Sequence, residues 1–179
     1  MLEAARRTAA PGRRFVVVKP AAAPAAWYAP VEAAKAAGLP VAVFEGRDQP
    51  EAYVARAACD AALVASGTAT LETALLGVPF LILYRVHPLS YAIGKRLVKI
   101  HSIGLANVVA GRRVVPEFLQ EGLDPAAIAA ELLRLLSNPE SRRGQRRDLA
   151  MGLRSLGRPG VAGRVAAQLL ALARERRAA

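Results

Sequence analysis

The sequence predicts an α/β fold, a Rossmann-like doubly wound parallel sheet followed by C-terminal helices. Three observations predict it. Residues 15–18, 41–44, 61–65 and 79–84 are apolar runs of strand length. They do not alternate with polar residues, and continuous apolar strands are those buried on both faces beneath helices. The stretches between them have helical composition, so residues 15–84 read β-α-β-α-β-α-β, the order of parallel strands joined by right-handed crossovers. A length of 179 residues fits one domain, and a chain of that size removes roughly 70% of its unfolded surface from water.

The first helix, 26–37, stops at Gly38 with Pro40 beyond it. The second, 50–58, is short and alanine-rich, and the third, 68–76, stops at Gly77. Beyond residue 84 the pattern turns helical. Leu89, Ile93, Leu97 and Ile100 share one side of a helix over 88–100. Pro116 can open a short helix over 116–121, since proline is tolerated at a first helical position. Asp124 is placed to cap a helix reaching Ser137, with Ile128, Leu132, Leu135 and Leu136 on its buried face. Two basic helices, about 139–155 and 161–177, close the chain around a break at 157–160. The expected organisation is a truncated Rossmann-like domain over 1–139 and basic closing helices over 140–179.

Composition narrows the function. With 54% hydrophobic and 22% charged residues, disorder is not expected. No apolar run reaches the roughly 20 residues that span a bilayer, and no apolar stretch follows the first charges as in a signal peptide. Cys59 is the one cysteine, so neither an internal disulfide nor a cysteine-cluster metal site can form within the chain. His87 and His101 alone are a poor basis for zinc, and neither metal nor cofactor is expected. The expected compartment is intracellular. Of the net charge of +11, +7 lies in residues 140–179, where ten arginines face Glu140, Asp148 and Glu175. The cluster at 142–147 reads first as a solvated helix face and second as a contact with anionic membrane. Nucleic acid comes last, because no DNA- or RNA-binding motif accompanies the charge.

The segment Ala65-Ser66-Gly67-Thr68-Ala69-Thr70-Leu71-Glu72 carries the chemistry. A buried strand runs into Ser-Gly-Thr and then into a helix. The N–H groups at a helix start are unpaired, and the dipole adds about half a positive charge there. Gly67 has no side chain to block close approach, and Ser66, Thr68 and Thr70 bring hydroxyls. Such a turn at the carboxyl end of a strand is where open α/β sheets bind phosphate. Glu72, one turn into the helix, is within reach of a nucleotide's sugar hydroxyl. The plainer reading is that Ser66 or Thr68 caps the helix. Lys95, Arg96 and Lys99 read either as a contact for anionic lipid headgroups or as a solvated helix face.

The ordered set formed by 66–72, Gly77-Val78-Pro79, Tyr84-Arg85, Lys95-Arg96-Leu97-Val98-Lys99, Asn107-Val108-Val109-Ala110-Gly111 and Val115-Pro116-Glu117-Phe118-Leu119-Gln120 resembles the lipid-A-disaccharide synthase family. The likeness covers about 60–140. That family consists of inverting glycosyltransferases of the GT-B architecture, with two Rossmann-like domains. The resemblance implies transfer of 2,3-diacylglucosamine from UDP to 2,3-diacylglucosamine 1-phosphate, giving a β-1,6 disaccharide in lipid A biosynthesis. It implies that Ser66, Gly67, Thr68 and Thr70 hold the diphosphate, that Arg85 is its charge partner, and that Glu72 holds the ribose. Asn107 would reach the sugar-diphosphate, and Glu117 and Gln120 would line the same cleft. The implied partners are UDP-2,3-diacylglucosamine, UDP, a lipid acceptor held by another domain, an anionic membrane surface and a second copy joined by C-terminal exchange. The implied location is cytoplasmic, peripheral at the inner face of the inner membrane.

The chain departs from the family pattern. The N-terminal acceptor domain, with its proposed base, and the glycine-rich Leu-Pro-Gly-Ser-Arg type of segment do not appear in it. The catalytic base is therefore not expected among these residues, and the chain alone is expected to lack turnover. Two rival readings keep the nucleotide site: another UDP-sugar GT-B enzyme or epimerase, and a non-catalytic nucleotide-binding half of a split protein.

Overall fold

The computed structural model describes residues 1–20, 22–46, 48–86 and 102–178. The helix expected over 88–100, with Lys95, Arg96 and Lys99, lies outside the described residues, as do His87 and His101. The molecule is α/β, with parallel strands flanked by helices. Helix α1 (Leu2–Thr8) leads to β1 (Phe15–Lys19), and a 3-10 turn (Ala25–Tyr28) runs into α2 (Ala29–Ala36). Then follow β2 (Val41–Glu45), α3 (Gln49–Ala57), β3 (Ala62–Ala65), α4 (Thr68–Leu75) and β4 (Phe80–Tyr84). The remainder comprises α5 (Leu105–Ala110), β5 (Glu117–Leu119), α6 (Pro125–Ser137), α7 (Pro139–Leu153) and α8 (Val161–Ala178).

All strand pairs among the described residues are parallel. Phe15 lies opposite Val41, Ala62 opposite Phe80, and Ile82 opposite Glu117. Among the described residues the strands form two sheets, β1-β2 and β3-β4-β5, rather than the one sheet expected. With no ladder between β1 and β3, helix packing joins the halves. In α1, Ala4 enters the core of Leu81, Leu83, Ile128 and Leu132, while the adjacent Ala5 enters that of Val31, Ala34 and Val41.

The four expected strands are present because their apolar runs meet helices. In β4, Phe80 and Ile82 pack with Leu149 of α7, and Leu81 and Leu83 pack under α6. Strand β1 is covered less completely: Val16 is 40% exposed, and α3 buries none of its residues. The expected helix over 116–121 is instead β5 and a 3-10 turn (Gln120–Gly122). The reason is the free edge of β4: the amide of Ile82 donates to the Pro116 carbonyl at 2.9 Å, drawing the segment into the sheet. Pro116 itself needs no partner for a missing N–H. Asp124 caps α6 as expected, accepting from the amides of Ala126 and Ala127, each at 3.1 Å. Asn138 caps α7 in the same way.

Besides the packing of Leu149, helix α7 is hydrogen-bonded to β4 through Gln145. The buried amide of Gln145 accepts from the Phe80 N–H at 2.8 Å and donates to the Phe80 carbonyl at 3.1 Å, as a neighbouring strand would. By contrast α8 lies open: Val161, Val165, Leu169, Leu170 and Leu172 are each 47–64% exposed.

Two expectations follow. Gln145→Ala strands a buried N–H and C=O, and should lower stability in urea unfolding by about 1–3 kcal/mol. Cys59, between α3 and β3, donates its thiol to the Ala55 carbonyl at 3.4 Å. Burial, and then the Asp60 carboxylate, push its pKa up. Only the thiolate reacts, so at each pH from 7 to 9 Cys59 should be modified more slowly by a disulfide reagent than a cysteine peptide. Its rate curve should be displaced to higher pH; superposition on the peptide's curve would contradict this.

Candidate functional site

The strand-to-helix turn after β3 is built as a donor site. The amide of Ser66 extends the ladder, donating to the Leu83 carbonyl at 3.3 Å. The chain then turns at Gly67, whose φ of 141° suits glycine and strains an L residue. A Cβ there would meet nothing within 4 Å, so the space in front of the turn is open. Gly67 occupies the N-cap of α4, and no side chain caps this helix. The alternative that Ser66 or Thr68 serves as the cap therefore does not hold. The N–H groups of Thr68 and Ala69 have no acceptor among the described residues. Thr68 is exposed, and Ser66 is half-buried.

The other hydroxyls face inward. Ser66 donates to the Ile103 carbonyl at 3.1 Å. Thr70 has no exposed surface; its hydroxyl donates to the Gly67 carbonyl at 2.8 Å and accepts from the Ala106 amide at 3.3 Å. It braces the turn from beneath. Arg85 is exposed just beyond β4 and has no ion pair among the described residues. The register that sets Ala65 opposite Leu83 brings it alongside the Gly67 turn.

Two of the candidate residues, Asn107 and Glu117, form an internal network, and a third, Gln120, is bound to backbone apart from it. Asn107 is 1% exposed. Its carbonyl oxygen accepts from the amides of Val114 and Val115, each at 2.9 Å. Its Nδ2 donates to the Val115 carbonyl and to Glu117 Oε1, each at 2.8 Å. Glu117 also accepts from the amides of Ile103 and Gly104, each at 3.0 Å. Gly104 is required here, since a Cβ would run into Ile82 and sit 3.1 Å from Glu117 Oε1. Gln120 makes a two-way bond with Val86, accepting from its N–H at 3.2 Å and donating to its carbonyl at 3.1 Å. The sequence expectation gave Asn107, Glu117 and Gln120 a direct hold on the sugar-diphosphate; the structure gives all three backbone partners. Nor do Glu117 and Gln120 share a helix face, because the segment is β5 and the turn after it.

Glu72 lies one turn along α4, and its Oε2 accepts from Arg56 Nη1 at 2.7 Å. The guanidinium of Arg56 lies over the Tyr53 ring, 5.1 Å from its centroid. Sequence reasoning missed Arg56, because 16 residues and a strand separate it from its partner. Among the described residues no group of three or more His, Cys, Asp or Glu side chains could hold a metal. A depression of about 450 Å³ between Arg113, Pro116, Arg134, Ser141 and Asp148 lies by Gln145, at the amino end of β4 and away from the Gly67 turn.

The network makes a stability prediction. Asn107→Ala removes every partner of the Val114 and Val115 amides and one of Glu117. It should cost about 3 kcal/mol or more by chemical denaturation, as expected for stranded buried polar groups. A loss below about 1 kcal/mol would mean that water replaces the amide readily.

Comparison with known proteins bears on this geometry. The family described as Lipid-A-disaccharide synthetase matches residues 29–169. The lipid-A-disaccharide synthase of Geobacter metallireducens is 41% identical over 179 residues, 99% of this chain and 45% of its own length. That of Anaeromyxobacter dehalogenans is 41% identical over 176 residues, 97% of this chain and 45% of its own. The Syntrophus aciditrophicus synthase is 49% identical over 120 residues, 67% of this chain and 31% of its own. The chain thus spans less than half the length of these relatives. A match across most of the chain, spanning the strand, turn and helix described above, leads to one conclusion: the chain belongs to the lipid-A-disaccharide synthetase family of glycosyltransferases.

Proposed function

We propose that this chain carries the UDP-binding part of an enzyme that transfers 2,3-diacylglucosamine from UDP to 2,3-diacylglucosamine 1-phosphate. The observation that carries the reading is the uncapped start of α4 behind Gly67, with Glu72 one turn deeper. The relatives, named lipid-A-disaccharide synthases, support a reaction of this class.

The diphosphate meets the N–H groups of Thr68 and Ala69, the Thr68 hydroxyl and the Arg85 guanidinium, while Ser66 braces the turn through the Ile103 carbonyl. Glu72 takes the ribose. Thr70, Asn107, Glu117 and Gln120 act behind them by holding the Gly67 turn, the 103–104 segment and Val86 in place. In the reaction the acceptor hydroxyl oxygen bonds to the anomeric carbon, the bond from that carbon to the diphosphate oxygen breaks, and UDP leaves with the electron pair. The hydroxyl proton goes to a base that we do not assign to this chain.

Fixed donors aimed at the leaving diphosphate lower the barrier without reorganising. Removal of one such donor typically costs about 3–4 kcal/mol, and a helix start adds about 0.3–2 kcal/mol for an anion. Because the glycosyl unit and acceptor are lipids, the enzyme works as a peripheral protein at the cytoplasmic face of the inner membrane. No helix among the described residues is long and apolar enough to cross a membrane. Exchange of α8 into a second copy would cover its open Val161, Val165, Leu169 and Leu172.

The test is calorimetric titration of the chain with UDP. Binding is expected, lost in Gly67→Val, where a β-branched residue must take a φ of 141°, and weakened roughly ten-fold or more in Glu72→Ala through a lost charged hydrogen bond. A folded chain that ignores UDP would defeat the reading. Disaccharide formed only when the remaining part of a relative is added in trans would extend it from binding to catalysis.

A further inference from the structure

The geometry points to Arg56 as a positioning residue for the nucleotide's ribose, acting through Glu72; this rests on the UDP-site reading above. Of the two candidate-site carboxylates, Glu117 has both oxygens bonded, whereas Glu72 has one oxygen without a partner among the described residues. Arg56 Nη1 holds Oε2 at 2.7 Å, and Oε1 has no partner among the described residues. The two side chains are 22% and 28% exposed, so the pair is partly shielded and more persistent than a surface ion pair. Arg56 is itself fixed from its own helix, with its guanidinium over the Tyr53 ring at 5.1 Å. Tyr53, Arg56 and Glu72 therefore form a chain in which each member limits the next, and the last presents a single acceptor.

A carboxylate fixed in this way suits the neighbouring hydroxyls of a ribose. Without Arg56, the side chain regains its rotamers and its charge loses a partner, so each nucleotide bound must order it again. Arg56 also lies on α3, which packs on β1 and β2, whereas Glu72 lies on α4, which packs on β3. The ion pair thus ties the acceptor's position to the setting of one sheet half against the other. Direct contact between Arg56 and the nucleotide is not part of the proposal.

The experiment compares UDP with 2′,3′-dideoxy-UDP on the wild-type chain, Arg56→Gln, Arg56→Lys, Glu72→Ala and the Arg56→Gln/Glu72→Ala double variant, with thermal melting as a check of folding. Arg56→Gln should weaken UDP roughly ten-fold, the scale of one charged hydrogen bond, and leave dideoxy-UDP unchanged. Arg56→Lys, which keeps the charge but not the fork, should fall between. In the Glu72→Ala background Arg56→Gln should have no further effect, as a double-mutant cycle requires of a residue acting through its partner. Equal weakening of both ligands, or weakening that persists without Glu72, would overturn the proposal in favour of a structural or direct role. UDP binding that depends on Glu72 but not on Arg56 would overturn it while leaving the UDP site standing. Absence of UDP binding would overturn the UDP-site reading and the proposal with it, and UDP binding indifferent to Glu72 would overturn the ribose role of Glu72 and the proposal. If Arg56→Gln does not fold, the Arg56→Lys series decides by the same comparisons.

Discussion

The part of this molecule that carries the candidate site is arranged around the two-sided burial of β4. Phe80, Leu81 and Ile82 have no exposed surface, and alternate residues feed two different cores. One core is closed by α4, α5 and α7, the other by α1 and α6. A strand in that position leaves its backbone no access to water, so each polar group needs a protein partner. The ladders to β3 and β5 supply most of them, and the Gln145 amide supplies those at Phe80. The place of the Gly67 turn follows, because it is the end of the strand next to β4.

The site behind that turn has two layers. In front are groups open to an anion: uncapped N–H groups, Thr68 and Arg85. Behind are polar residues whose bonds run to backbone. Asn107 and Glu117 link 114–115, 103–104 and the end of β5, and Ser66 and Thr70 join the turn to the same assembly through Ile103 and Ala106. Preorganisation in the front layer depends on full satisfaction in the back layer, since a half-satisfied buried network would cost more than an apolar one.

The strands and most helix limits were legible in the sequence because they depend on neighbours in the chain. Four apolar runs marked four strands, and Gly38, Gly77 and Asp124 marked ends. The Ser66–Glu72 segment was legible as a strand running into a helix start. Strand β5 was not, because Pro116 opens helices and edge strands alike, and only the free edge of β4 favours the strand. Helices α1 and α5 went unmarked because each is short, seven and six residues, and is held by its packing.

What the sequence determined by itself is therefore the α/β class, the order of the elements from β1 to β4 and the position of the glycine turn, all set by periodicity and local backbone preference. The tertiary structure decided the division into two sheets and the direction in which each polar side chain points. Asn107, Glu117 and Gln120 could each have faced a ligand; they face backbone because the fold brings amides and carbonyls within bonding distance of them. Arg56 meets Glu72 because α3 and α4 are brought together by different strands. Such pairings depend on distances across the fold, and residue types along a chain do not encode them until the core has formed.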